Sequence, residues 1–357
     1  MKILDLYSGM GGLSLGFALA FEEAEILGLD IDYWSVETYN LNLKRLGCFS
    51  RVQDLLKWKP RGDWDLIMGG VPCQPFSSAN SRRRGKDHPL FPTFPLFFEI
   101  IVCLEPRVFL MENVKGLVSS TFRPLLTDQL SRLRKDYYIS WKILNAADFG
   151  VPQRRERLFV IGIRRDLRRL PSFPPPSHSK RTAVTLRGKL QKWVTVREAI
   201  GDILLLFERS EVFKKHQVER ISRERENKER HFGVMKFPDP LDEPSRTISS
   251  HTIQGTKRET IVIEIEEESQ NFIPFLCFRR LTIRDCLRLQ SFPDWWILPQ
   301  GISKSKSYKI IGESVPPILA YKIARQIGKT LDWGLRRFDE SLWDLPYVKR
   351  AFSFGGT

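Results

Sequence analysis

Through the first 170 residues, short apolar runs alternate with stretches whose apolar positions recur three or four residues apart. Ile3 to Leu6, Ile26 to Leu29, Leu66 to Met68, Val108 to Met111 and Leu158 to Ile163 are mostly apolar and of strand length, the pattern of strands buried on both faces. Between them, Ser35 to Leu46, Leu96 to Leu104 and Leu125 to Leu133 carry helical spacing. Strand alternating with helix predicts an α/β fold, doubly wound, with a mostly parallel sheet covered on both faces, over residues 1–170.

The pattern breaks at Leu170 to Ser179, where a run of prolines can continue neither helix nor ladder. Residues 180–276 lack the alternation and are rich in charge, most densely from Arg220 to Arg230, and are expected to form a second, smaller domain. That charge run would equally suit a solvated helix face. Residues 277–357 turn helical again at Leu281 to Leu289 and at Pro317 to Leu331, and are expected to return to the first domain.

Charge sharpens this outline. Lys and Arg number 57 against 42 Asp and Glu, a formal charge of +15, which favours a polyanionic partner, with nucleic acid the first guess. Five scattered cysteines with no CxxC pair give neither a zinc site nor a disulfide framework, so no metal is expected and a reducing, cytoplasmic setting fits. No signal peptide precedes the first strand and no apolar run reaches the roughly 20 residues of a membrane span, so no membrane partner is expected.

The first strand runs into a glycine-rich turn, Asp5 to Gly16, where backbone can approach a ligand before a helix begins. Ser14 stands where a dinucleotide fingerprint wants its third glycine. Asp30 ends the second strand and Asp54 follows the third, each placed to accept from ribose hydroxyls or, equally, to cap a turn or helix. Carboxylates crowded at this edge repel a pyrophosphate but tolerate a sulfonium cation, which favours S-adenosyl-L-methionine over NAD.

The fourth strand ends in Gly69 to Ser77, a loop of glycines and prolines around one thiol, Cys73; the other cysteines read as inert small hydrophobes. Glu112 closes the fifth strand, on the neighbour of the strand carrying Cys73, so that thiol and carboxyl face one pocket. Arg155 and Arg157 alternate on one side of the approach to the next strand and supply positive charge.

Read together, the Asp5 to Gly16 turn, Pro72 to Gln74, Glu112 to Val114, Gln153 to Arg157 and Gly312 to Pro316 resemble the ordered motif series of the cytosine-5 DNA methyltransferases. Arg280 to Asp294 is similar to the family's penultimate motif, and Glu243 to Ile248 to a segment often found before it. Five motifs in the right order are specific where any one is weak. Two departures stand out: Glu313 occupies a position where the family usually has asparagine, leaving that side chain's contact with the cofactor open, and Leu90 to Phe97 lacks the usual arginine and glycine.

The resemblance implies a class I S-adenosylmethionine-dependent methyltransferase fold, base flipping, and double-stranded DNA as partner. Cys73, Glu112, Arg155 and Arg157 are then the catalytic set, Arg157 holding the base's carbonyl oxygen. Tyr7, Ser8, Gly9, Gly11, Gly12, Asp30, Ile31, Asp54, Leu55 and Ser314 are expected at the cofactor. Gln74 and Ser77, with Arg82, Arg83 and Arg84 of a long basic loop, are expected at the DNA. A monomeric, stand-alone microbial enzyme is expected, associated with the nucleoid and paired functionally with a restriction endonuclease. Transfer RNA is an alternative substrate, but the Cys-Phe-Thr signature typical of the RNA branch is missing, since Cys277 and Phe278 are followed by Arg279. A non-catalytic DNA-binding relative is the other alternative, and the intact Cys73, Glu112 and Arg157 argue against it.

Overall fold

The computed structural model describes residues 1–77, 85–185, 188–207, 241–249, 260–265 and 275–352. The chain opens with β1 (Lys2–Leu6), α1 (Gly12–Ala20), β2 (Glu25–Asp30), α2 (Tyr33–Leu43), β3 (Cys48–Val52), β4 (Leu66–Gly70), α3 (Thr93–Leu104), β5 (Val108–Val114), α4 (Arg123–Leu133), β6 (Tyr137–Asn145) and β7 (Glu156–Arg164). These strands form one sheet in the order β3-β2-β1-β4-β5-β7-β6. All pairings are parallel except those of β7, which runs antiparallel between β5 and β6. The expected doubly wound sheet is present, with one strand, β6, that the apolar runs did not announce.

Strand order reverses between β1 and β4, and in open α/β sheets the crevice outside the carboxyl ends at such a point is where ligands bind. Two hydrophobic clusters fill the molecule, one on each face of the sheet. One contains Leu4, Ile67, Phe97, Phe98 and Met111. The other joins Ile3, Leu15 and Phe17 to Ile318, Leu319 and Ile323. Within β1, Asp5 is fully buried, held by Ser14 Oγ donating to Oδ2 at 2.6 Å, and burial raises its pKa to about 7.

After β7 come a small sheet of β8 (His178–Ser179), β9 (Ala183–Thr185) and β10 (Gly188–Lys192), then α5 (Val196–Phe207) and the hairpin β11 (Thr260–Ile265) and β12 (Phe275–Arg280). The chain continues with α6 (Ile283–Leu289), α7 (Lys304–Glu313), α8 (Pro317–Leu331) and α9 (Val348–Phe352). The described part of this stretch shares the core of the sheet. Val194, Val196, Ala199, Ile200, Leu241 and Ile248 lie in the same buried cluster as α1 and α8, so no break in the core falls at residue 180. The charge run from Arg220 to Arg230 lies outside the described residues.

The C-terminal helices pack on the first helix of the chain. α8 packs along α1 so closely that a Cβ on Gly16 would stand 2.5 Å from the Ala320 Cβ and from the Tyr321 backbone nitrogen. Gly12 is as tightly placed, its missing Cβ 2.1 Å from the Val315 carbonyl oxygen. On their Cβ side these two glycines allow close packing against the C-terminal segment. Gly11 also faces protein, with Tyr39 and Leu43 beside it, whereas the space beside Gly9 is open.

Candidate active site

The loop after β4 is fixed from three sides. Asn113 Nδ2 donates to the Val71 carbonyl at 3.2 Å, and Phe76 N donates to the Cys73 carbonyl at 2.9 Å. The Phe76 ring is fully buried among Phe91, Phe94 and Phe122. The half-buried Cys73 is thus carried on a short arch whose two ends cannot shift independently.

Glu112 pairs with Gly70 in the β4–β5 register, which puts its carboxyl beside the start of that arch. Arg157 is opposite Val114 on β7, two residues along the strand, and reaches back so that its Nε stands 3.1 Å from Glu112 Oε1. The pair is nearly enclosed, its side chains 9% and 15% exposed. Burial raises the Glu112 carboxyl, opposed by Arg157 and Arg155. Burial also raises the Cys73 thiol; Arg157 and Arg155 pull it down, while Glu112 and Glu313 push it up.

Arg155 behaves unlike its neighbour. It precedes β7 and is 1% exposed. Its Nη1 donates to the Ile248 carbonyl and its Nη2 to the carbonyls of Gly312 and Ser314, each at 2.9 Å. It therefore ties the end of α7 and the Ile248 segment to the catalytic edge. Its charge, like that of Arg157, reaches Cys73 and Glu112.

Around the β1–β4 switch point, Tyr7 takes a left-handed φ of 57° and donates its hydroxyl to the Thr93 carbonyl at 3.0 Å. The Ser8 and Ser50 hydroxyls are 3.2 Å apart. Asp30 accepts from Gly9 N and Asp32 N, both at 2.8 Å, so it braces the glycine turn, and burial raises its pKa. Beside it Ile31 is 68% exposed. Asp54 caps the 3-10 turn Leu55–Lys57, accepting from Leu56 N at 3.0 Å. That turn buries Leu55 in the core and exposes Leu56. Ser314 is buried against Gly12.

Two links were not foreseen, because each joins residues more than 230 positions apart. Lys306 of α7 pairs with Asp32, the N-cap of α2. Gln74 Nε2, of the residue after Cys73, lies 3.5 Å from Glu313 Oε1. Ser77 is the last described residue before a break, and Arg82, Arg83 and Arg84 lie outside the described residues.

The chain's likeness to known proteins agrees with this arrangement. The family model for C-5 cytosine-specific DNA methylase matches residues 1–329. The chain belongs to that family. It is 31% identical to the Type II methyltransferase M.FnuDI of Fusobacterium nucleatum, over 93% of this chain and 95% of that one. It is 32% identical to the Type II methyltransferase M.MthTI of Methanothermobacter thermautotrophicus, over 93% and 98%. Among solved structures, the methylase resembles the Entamoeba histolytica methyltransferase EhMeth, with a TM-score of 0.64, 15% identity, and 93% and 98% of the two chains covered. The S. pombe Dnmt2 methyltransferase gives 0.61 at 18% identity, over the same shares. At those identities the shared feature is the class I methyltransferase fold.

Proposed function

We propose that the methylase transfers a methyl group from S-adenosyl-L-methionine to carbon 5 of a cytosine in duplex DNA, through a covalent adduct of Cys73 with carbon 6. The observation that carries this reading is the convergence of a half-buried thiol with an enclosed Glu112–Arg157 pair at one end of the sheet. Carbon 5 of cytosine is too weak a nucleophile by itself, and adding a thiolate at carbon 6 makes it an enamine carbon that is not.

In this reading Cys73 is the nucleophile, and the charges of Arg157 and Arg155 oppose the burial that would keep it a thiol. Glu112, its carboxyl raised by burial, holds a proton for ring nitrogen 3 and accepts from the exocyclic amine. Arg157 orients Glu112 and reaches the base's carbonyl oxygen. Arg155 acts as a positioning residue through the carbonyls it holds. The cofactor supplies an electrophilic methyl on a sulfonium cation. The open space at Gly9, the exposed face of Ile31 and the carboxylate of Asp30 suit a cationic nucleoside. Tyr7, Ser8, Gly11, Gly12, Asp54 and Ser314 shape that crevice from behind.

The target base must leave the stack to reach this site. Gln74, Ser77, Arg82, Arg83 and Arg84 would close on the DNA around it. Side chains within residues 180–276 would read the flanking sequence, since the catalytic groups serve any cytosine alike. The Type II relatives support a restriction-modification role, with a cognate endonuclease as functional partner.

The test is Cys73→Ser. We expect loss of methyl transfer by at least about 1,000-fold with DNA binding retained, because a hydroxyl is a far poorer nucleophile at neutral pH. Wild type, but not the variant, should form a denaturation-stable adduct with DNA containing 5-fluorocytosine. Turnover by Cys73→Ser within about tenfold of wild type overturns the assignment.

A further inference from the structure

The reaction above leaves one step without a residue. Once methyl has been added, the hydrogen on carbon 5 must leave before Cys73 can be released. The thiol occupies one face of the ring and the methyl enters from the other, so this hydrogen is turned toward the face of Cys73. The base that removes it has to stand beside the Cys73 loop.

Most carboxylates near the crevice are already committed. Glu112 is paired with Arg157, Asp30 holds two backbone N–H groups, Asp32 is paired with Lys306, and Asp54 caps a turn. Glu313 differs. It makes no ion pair among the described residues, is exposed to the open cleft, and has Oε1 3.5 Å from Nε2 of Gln74, the residue after the nucleophile. Its backbone is held firmly: Arg155 Nη2 donates at 2.9 Å to the carbonyls on either side of it, Gly312 and Ser314. A carboxyl on so fixed a turn costs little reorganisation at the moment of reaction.

We propose that Glu313 is the general base that removes the carbon 5 proton. The carbon–hydrogen electron pair becomes the restored double bond between carbons 5 and 6. The carbon–sulfur pair leaves with Sγ, so Cys73 returns as thiolate. The proton passes to the Glu313 carboxylate and from there to solvent through the cleft. Although the residue keeps solvent access, the protein around its carboxyl displaces enough water to raise it above the usual range, against the pull of Lys309 and Lys306, so it is a somewhat stronger base than an ordinary glutamate.

This proposal rests on the cytosine reading, and the test separates the two. Unmethylated genomic DNA carrying tritium at cytosine carbon 5 is incubated with S-adenosylmethionine bearing a 14C methyl group. If the wild-type enzyme transfers methyl without releasing tritium, the cytosine reading itself falls. If it releases both together, the variants decide the role of Glu313. In Glu313→Gln we expect methyl to be transferred once, into a denaturation-stable adduct, while tritium release slows by about 100-fold. The acidic limb of the release rate against pH should disappear, and Glu313→Asp should recover part of the rate. Tritium release from Glu313→Gln at the wild-type rate overturns the proposal. So does loss of methyl transfer itself, or loss of cofactor binding, because either places Glu313 before the proton step.

Discussion

Arg155 and Arg288 are both almost wholly buried, at 1% and 6% exposure, yet the fold treats them in opposite ways. Arg288, on α6, meets carboxylates: its Nε and Nη2 donate to the two oxygens of Asp294, and its Nη1 to Asp202 and to the Ala199 carbonyl. Its charge is matched where it stands, and its pKa is raised further. Arg155 meets only backbone carbonyls, with its Nε unpartnered. Burial and then the neighbouring Arg157 push its pKa down to about 9, still high enough to keep the charge near neutrality. A buried cation held by neutral dipoles leaves its field unspent. Here that field falls on Cys73 and Glu112. The charge of Arg288 is cancelled where it stands, whereas that of Arg155 is held among carbonyls and left uncancelled.

The largest effect should come from breaking the uncancelled case. Arg155→Met strands three buried carbonyls, each costing about 1–3 kcal/mol, so we expect at least about 3 kcal/mol of lost stability by denaturant titration. It should also move the alkylation of Cys73 by iodoacetamide to higher pH, since one of the charges favouring the thiolate is gone. Arg155→Lys should keep more of the wild-type alkylation profile while still losing stability. An unchanged profile in Arg155→Met would remove Arg155 from the account of the thiol.

Arg288→Met should cost less, about 1–3 kcal/mol, because Asp202 and Asp294 are 54% and 28% exposed and can be rehydrated. Its alkylation profile should match wild type. A shift there would mean that the contrast between the two arginines is false.

A separate effect, read against pH, concerns Asp5, a buried carboxyl whose Oδ1 has no partner. Its folded pKa is raised from 3.8 to about 7, so between those values the folded state holds a proton that the unfolded state has released. Stability from this group is therefore full below pH 3.8 and lost as pH rises toward 7, at a slope approaching about 1.4 kcal/mol per pH unit. Asp5→Asn should flatten the dependence of stability on pH in that window, measured by chemical denaturation at a series of pH values.

Much of this was legible in the sequence. Apolar runs announced five of the seven main strands, a short third strand was placed before Asp54, and the strand ends put Cys73 and Glu112 on neighbouring strands. β6 escaped because it is the sheet edge: Trp141 and Ile143 are 40% and 37% exposed around a lysine, so no continuous apolar run forms. α7 escaped because its sequence is dominated by Lys and Ser, only Ile310 and Ile311 being buried apolar residues. The partners of Arg155 were not legible at all, since carbonyls 93, 157 and 159 residues away leave no trace in local pattern. The proline run marks the end of local regularity, while the core is assembled across it from contacts that local sequence does not record.

The packing of α8 on α1 also bears on how the molecule is made. The ribosome delivers α1 early, with Leu15 and Phe17 in need of cover, while the residues that cover them belong to 317–331 and emerge some 300 positions later. During nearly the whole of synthesis the nascent sheet therefore carries a bare apolar face, a surface that invites aggregation or chaperone capture. The turn of Glu313, and with it Arg155's anchorage, is completed by the same late arrival, so a half-made chain holds the thiol of Cys73 without the surroundings that would let it react.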